Sequence, residues 1–275
     1  MMNGLRIKPS NLFSGFLSLI WLVIVIVPIY FAVLSSFKTQ SDYRTEPLFS
    51  FPDSIYAKNY SQVWEANLGQ YFFNSAFVTA ISSVIIIVLA VMAAYAIVRN
   101  ASKKALRVFS IFLLGLAIPA QAVIVPLAIL TKYLAIKNTL WAIIFPATAF
   151  ALPITMLILV TYLRDIPSSL FESMTLDGAS NFKILFVLVI PLLRPAITTI
   201  AVYNALGIWN NFIFALILDD KDPVIPLALN LFKGEYTSNT PAILACVIIS
   251  LLPLLAAYII GRKQMVAGLS AGFGK

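Results

Sequence analysis

Six long apolar runs, separated by polar stretches, set the rhythm of this chain. They fall at Leu12–Phe37, Tyr71–Val98, Val108–Leu134, Leu140–Tyr162, Leu185–Leu218 and Pro241–Ile260. A helix needs roughly 20 residues to cross a bilayer core, and each run reaches that length. Lipid offers no partner to backbone N–H and C=O groups, so runs of this kind close as helices. The pattern predicts an all-α membrane protein with six transmembrane helices. Residues 1–275 then make a single transmembrane domain, with a polar loop over 163–184 between the fourth and fifth spans. The first run continues through Pro28 to Phe37 without a small-residue cleavage pattern, which predicts a retained helix and not a cleaved signal.

The polar stretches orient the spans. With the N-terminus in the cytoplasm, twelve basic residues fall on the inner side and seven on the outer, against three and eight acidic ones. Basic residues favour the cytoplasmic side, so both termini are expected to be cytoplasmic. The stretch Arg99–Arg107 carries Arg99, Lys103, Lys104 and Arg107 and no acidic residue, and is the clearest single indicator. The long outer segment Lys38–Gln70 holds Pro47, Pro52, Tyr56, Tyr60 and Trp64 and reads as a folded cap. A second long outer stretch, Asp219–Thr240, is acidic at its start.

Composition narrows the chemistry. Hydrophobic residues make up 61% of the 275 and charged residues 11%, against roughly 25% charged in soluble domains. The net charge of +8 is scattered beside apolar runs and forms no basic patch, so nucleic acid is not an expected partner. The chain has no histidine, which excludes Ser-His-Asp and Cys-His catalysis and the HExxH metal motif. The lone cysteine, Cys246, lies in an apolar run and reads as a packing residue. No Asp or Glu falls within a span, and Arg194 is close enough to an end to snorkel. A GxxxxGK[ST] phosphate loop is also missing. Prolines at 28, 119, 126, 146, 153, 191, 195 and 253 predict kinked spans of the kind transporters use. A transporter with neither proton relay nor nucleotide site needs an engine outside itself.

The segment Glu172–Pro195 is built to receive such work. Ser169 and Glu172 form an S-x-x-E pattern that predicts a capping box at the start of a short helix. Leu170, Phe171 and Met174 are expected on one face of it. Gly178 sits where a left-handed cap is needed, and Ser180 can cap a second helix running through Phe182 and Leu185 into the membrane. The expected product is a cytoplasmic helix–turn–helix elbow whose second arm continues into a span.

Glu172, Asp177, Gly178, Ala179, Ile190, Pro191 and Pro195 match in type and spacing the cytoplasmic loop of binding-protein-dependent ABC importer permeases, which this segment resembles. Ser173 and Met174 depart from the pair of alanines usual there, and Met174 is the bulkier departure. The stretches Asn74–Ala80, Ala93–Arg99, Ile118–Leu127 and Trp209–Phe212 and the tail Gly261–Lys275 are similar to the MalG-like carbohydrate-uptake branch. The resemblance covers nearly the whole chain. It implies a type I ABC importer permease fold (MetI-like) in a bacterial or archaeal cell membrane. It also implies a second, MalF-like permease subunit, a dimer of ATP-binding subunits that use ATP and Mg, and an extracytoplasmic solute-binding protein. This chain would bind no cofactor or metal and catalyse nothing itself. Carried onto this sequence, Leu170, Phe171, Glu172, Met174, Asp177, Gly178, Ala179 and Phe182 belong to the elbow that couples to the ATPase.

A sugar pathway calls for amides and aromatic faces. Tyr203, Asn204, Trp209, Asn210 and Asn211 of the fifth span, Gln121 of the third and Asn74 of the second are the candidates. Membrane amides also bond neighbouring helices, and Trp and Tyr also belt the interface. Two other readings stand beside a sugar importer: an ABC permease for a polyol or glycerol-phosphate-type solute, and an ion-coupled secondary carrier. The missing intramembrane carboxylates speak against the second.

Overall fold

The computed structural model describes residues 9–233 and 238–273, with side chains inside 13–259 and at 261–262. Arg6, Lys8 and the tail side chains beyond Arg262 lie outside the described residues. Those described are helical and form no strand, apart from an isolated bridge between Lys233 and Ser238. The helices are α1 (Pro9–Ser36), α2 (Gln40–Thr45), α3 (Lys58–Glu65), α4 (Leu68–Asn100), α5 (Lys103–Leu114), α6 (Ile124–Tyr133), α7 (Leu140–Arg164), α8 (Ser168–Leu176), α9 (Asn181–Ile184), α10 (Ile190–Trp209), α11 (Phe212–Leu218), α12 (Ile225–Ala228) and α13 (Thr240–Phe273). Five stretches are long and apolar enough to cross a membrane, and a sixth is reached if the bent pair Lys103–Ala117 and Ala120–Tyr133 counts as one span.

Two compact units divide the chain: residues 1–67 with 229–251, and residues 68–228 with 252–275. In the first, α1 leads into a folded cap. The Lys38 side chain is 1% exposed and fully committed: Nζ meets the Glu46 carboxylate at 2.9 Å and donates to Ser50 Oγ at 2.7 Å and the Pro47 carbonyl at 3.2 Å. Asn59 Nδ2 donates to the carbonyls of Ser36 and Lys38, both at 2.8 Å. Phe37 packs on Tyr60 with ring centres 5.0 Å apart. A buried charge is tolerated only when paired and hydrogen-bonded, and these bonds meet that condition. The segment after α1 is therefore ordered, as its prolines and aromatics predicted.

The second unit is a bundle in which α4 lies along α7 and α10 packs on both. Its core has two layers. Tyr95, Met156, Leu159, Leu163, Phe171, Ile184 and Leu193 are buried in one, and Ile86, Ile143, Ile144, Phe214 and Leu218 in the other. Side chains apolar on all faces suit helices that meet protein on one side and lipid on the other.

Two expected spans are broken. The third turns by 90° between Ala117 and Ala120. Pro119 forces its predecessor out of the helical region, and Ile118 accordingly sits at φ −87°, ψ 112°. The fifth does not run unbroken to Leu218. It stops at Trp209, and Asn211 begins α11 by accepting a bond from the Phe214 N–H at 3.1 Å. An amide that caps a new helix competes with continuation of the old one. The helix also widens to π geometry at Leu185–Val189, just before Pro191, whose missing N–H and bulky ring displace the regular pattern.

Candidate functional site

The loop between α7 and α10 folds into an elbow. Its first arm begins two residues earlier than the sequence suggested. Pro167 is extended (φ −56°, ψ 133°) and Ser168 opens α8, so the capping box of Ser169 and Glu172 does not form. Ser169 lies inside the helix, and its carbonyl accepts from Ser173 Oγ at 2.9 Å. The corner is a Schellman motif: Gly178 N–H donates to the Thr175 carbonyl at 3.0 Å and Ala179 N–H to the Met174 carbonyl at 2.9 Å. That geometry places Gly178 at φ +74°. Ser180 Oγ then accepts from Lys183 N–H at 3.3 Å and starts the second arm. This arm runs without interruption from Asn181 to Trp209.

The elbow faces two ways. Phe171 is 3% exposed and sits in the bundle core, with the Arg99 guanidinium 5.2 Å from its ring centre. Met174 and Ala179 pack partly against the same core. Leu170 is turned away and exposed, so the expected shared face of Leu170, Phe171 and Met174 is corrected: residues one apart point about 100° apart. Glu172, Asp177 and Gly178 are also exposed. Leu176 and Phe182 show the largest apolar exposure of the elbow, at 88% and 67%. The sequence reading missed Leu176, although its place just before Asp177 and Gly178 puts it at the corner.

At the far end of the second arm a cleft of about 680 Å³ opens, inside the range of about 300–1,000 Å³ usual for small-molecule pockets. Gln121, Tyr203, Asn204, Asn210 and Asn211 line it, together with Phe150 and Phe212. Asn204 is buried, and its Nδ2 donates to Thr155 Oγ1 at 3.0 Å, tying α10 to α7. Thr155 was not anticipated. Asn210 Nδ2 donates to the Leu206 carbonyl at 2.9 Å. Tyr203 is 59% exposed. The other two candidates do not line the cleft. Trp209 is buried edge-on against Phe72, with ring centres 5.5 Å apart. Asn74 is buried between Gln70, which donates to its Oδ1 at 2.9 Å, and the Pro223 carbonyl, which accepts from its Nδ2 at 2.9 Å. Its amide holds the segment before α12 onto α4.

Apolar spans, a helical elbow and an amide-lined cleft are parts that a multi-pass membrane permease subunit requires. Residues 86–264 match the family of binding-protein-dependent transport system inner membrane components, and the chain belongs to that family. It is 31% identical over 264 residues to the diacetylchitobiose uptake system permease protein of Streptomyces coelicolor, covering 94% of this chain and 87% of that one. It is 32% identical over 250 residues to the melibiose/raffinose/stachyose import permease protein of Bacillus subtilis, covering 90% of each. Among solved structures, a bacterial ABC transporter involved in import of the acidic polysaccharide alginate superposes with a TM-score of 0.78 at 21% identity, over 94% of this chain and 98% of that one. The fold is thus that of a MetI-like ABC permease.

Proposed function

We propose that this chain is the permease subunit of an ATP-driven sugar importer and forms half of its translocation pathway as a single transmembrane domain. A second permease completes the pathway, a dimer of ATP-binding subunits drives it with ATP and Mg, and an extracytoplasmic solute-binding protein delivers a mono- or oligosaccharide. The chain crosses a bacterial or archaeal cell membrane six times with both termini cytoplasmic. The observation that carries this reading is the elbow. A corner fixed by Gly178 joins an arm rooted in the core through Phe171 to an arm that becomes a span, and Leu176 and Phe182 remain exposed on it. An ATPase that closes on nucleotide and reopens after hydrolysis would move this elbow as a rigid body and switch the cavity between its two faces. That is a population shift driven by differential binding. The relatives that import diacetylchitobiose and melibiose-type sugars support a carbohydrate substrate. The amides and the exposed Tyr203 of the cleft are chemically suited to one.

Copurification from membranes in mild detergent, with mass spectrometry of what travels with the chain, tests the assembly. An ATP-binding subunit, a sister permease and a solute receptor are expected. A chain that purifies alone and takes up solute in ATP-free vesicles would overturn the proposal.

A further inference from the structure

We propose that the chain carries a built site for an anionic phospholipid, between the end of α4 and the start of the second arm. Two cavities meet there. One, of about 430 Å³, is lined by Tyr95, Arg99, Asn100, Asn181 and Phe182. The other is a wholly apolar groove of about 220 Å³, formed by Val88, Phe186, Ile190 and Ile197 among others. Met92, Phe182 and Leu185 line both, so the polar cavity opens into the apolar one.

Three observations point to a lipid. The polar cavity gathers donors and no carboxylate: a guanidinium, two amides and a phenol. The hydroxyl of Tyr95 is buried on a residue 8% exposed and has no hydrogen-bond partner among the described residues, and a buried polar atom left unpaired is costly. The next stretch adds Lys103, Lys104 and Arg107 without an acidic residue, a field that draws an anionic head group. Length fits as well. The twelve residue steps from Arg99 back to Ile87 rise about 18 Å along the helix, close to the ~15 Å of one leaflet's hydrocarbon. The π segment at Leu185–Val189 shapes the opposite wall. A helix of another subunit laid in the same groove would cover its apolar wall but bring nothing to Tyr95, Arg99 or the two amides. The site requires only that α4 crosses a bilayer, whatever the transporter carries.

The full chain, purified in non-ionic detergent, is titrated by native mass spectrometry with phosphatidylglycerol and with phosphatidylcholine of the same acyl chains. The wild type should retain phosphatidylglycerol preferentially. Arg99→Gln should cut that preference about fivefold, the worth of one basic residue near a membrane surface. Lys132→Gln, exposed and away from both cavities, should leave it unchanged. Met92→Trp, which fills the groove but spares the head-group donors, should also lower retention. In membranes, a phosphatidylglycerol with a photoreactive acyl chain should label the peptide holding Val88 and Met92. Equal retention of the two lipids, equal loss in Lys132→Gln, displacement by free glycerol phosphate, or a sister subunit cross-linked at Val88 in place of lipid would each overturn the proposal.

Discussion

The two ends of the Asn181–Trp209 helix break opposite rules. At the elbow, where the chain is polar and exposed, it displays Leu176 and Phe182. At the cleft, where the surrounding helices are apolar, it gathers Gln121, Asn204, Asn210 and Asn211. Each choice costs free energy in the isolated chain: apolar surface is left in water at one end, and amides are drawn among apolar helices at the other. A cost of this kind is recovered when a partner arrives. The elbow suits a protein surface that buries large apolar side chains, and the cleft suits a solute that brings hydroxyls.

The comparison can be broken most sharply at Gly178. The space around it is open, so a side chain there meets no clash and only the left-handed backbone resists. Gly178→Val should reduce ATP-driven uptake at least about tenfold through a displaced corner, for a strain of about 1–2 kcal/mol, with membrane levels near those of the wild type. Gly178→Asn, which tolerates this backbone better, should keep a measurable fraction. Normal uptake by Gly178→Val would remove the elbow from the mechanism.

A second cut separates the corner's shape from its surface. Leu176→Glu leaves the Schellman bonds intact and removes one exposed apolar side chain. It should weaken association with the ATP-binding subunit by about 1.5–3 kcal/mol, the worth of burying a leucine, measured by copurification yield. Melting of the isolated chain should not change.

At the other end, Asn210→Leu and Asn204→Leu should raise the KM for sugar uptake severalfold while the ATPase still assembles. Asn204→Leu should also destabilise the bundle by about 0.6–1.7 kcal/mol, since it breaks the bond to Thr155. Asn210→Leu should not. An unchanged KM in both variants would place the solute contacts on another subunit.

The smallest effect is expected at Asp219, just past α11. Burial raises its pKa from the ordinary aspartate value, although the bonds it accepts from the N–H groups of Asp222 and Lys221 pull the other way. Because the folded state binds the proton more tightly, the penalty is absent below the unfolded pKa. It grows as pH rises through the window up to the raised value. Asp219→Asn keeps the accepting oxygen and should raise the melting temperature by about 1–2 °C at pH 7, with the gain vanishing below about pH 4. Asp219→Ala loses both bonds and should be less stable than either.

Much of this architecture was legible in the pattern of apolar runs, because a span must be long and uninterrupted by charge. The corner was legible as well, since Gly178 and Ser180 carry their backbone preferences locally. What escaped was set by competition between neighbours. Pro119 divides a run that hydropathy joins, and Asn211 caps a helix inside a stretch that reads as a single span. Phe171 and Leu170 look alike in sequence, yet the core takes one and leaves the other, because only the packed bundle decides which face of α8 turns inward. Asn74 and Asn204 are both buried amides that tie two segments together, and only the packed bundle shows that Asn204 also borders the cleft.

The most direct measurement places a photo-crosslinking amino acid at Leu176 in the assembled transporter, with the same probe at the exposed Leu252 as reference. The account predicts a cross-link from position 176 to the ATP-binding subunit, changing in yield when nucleotide is added, and none to that subunit from position 252. A cross-link from position 176 to the solute-binding protein, or to no protein at all while the transporter remains active, would contradict it.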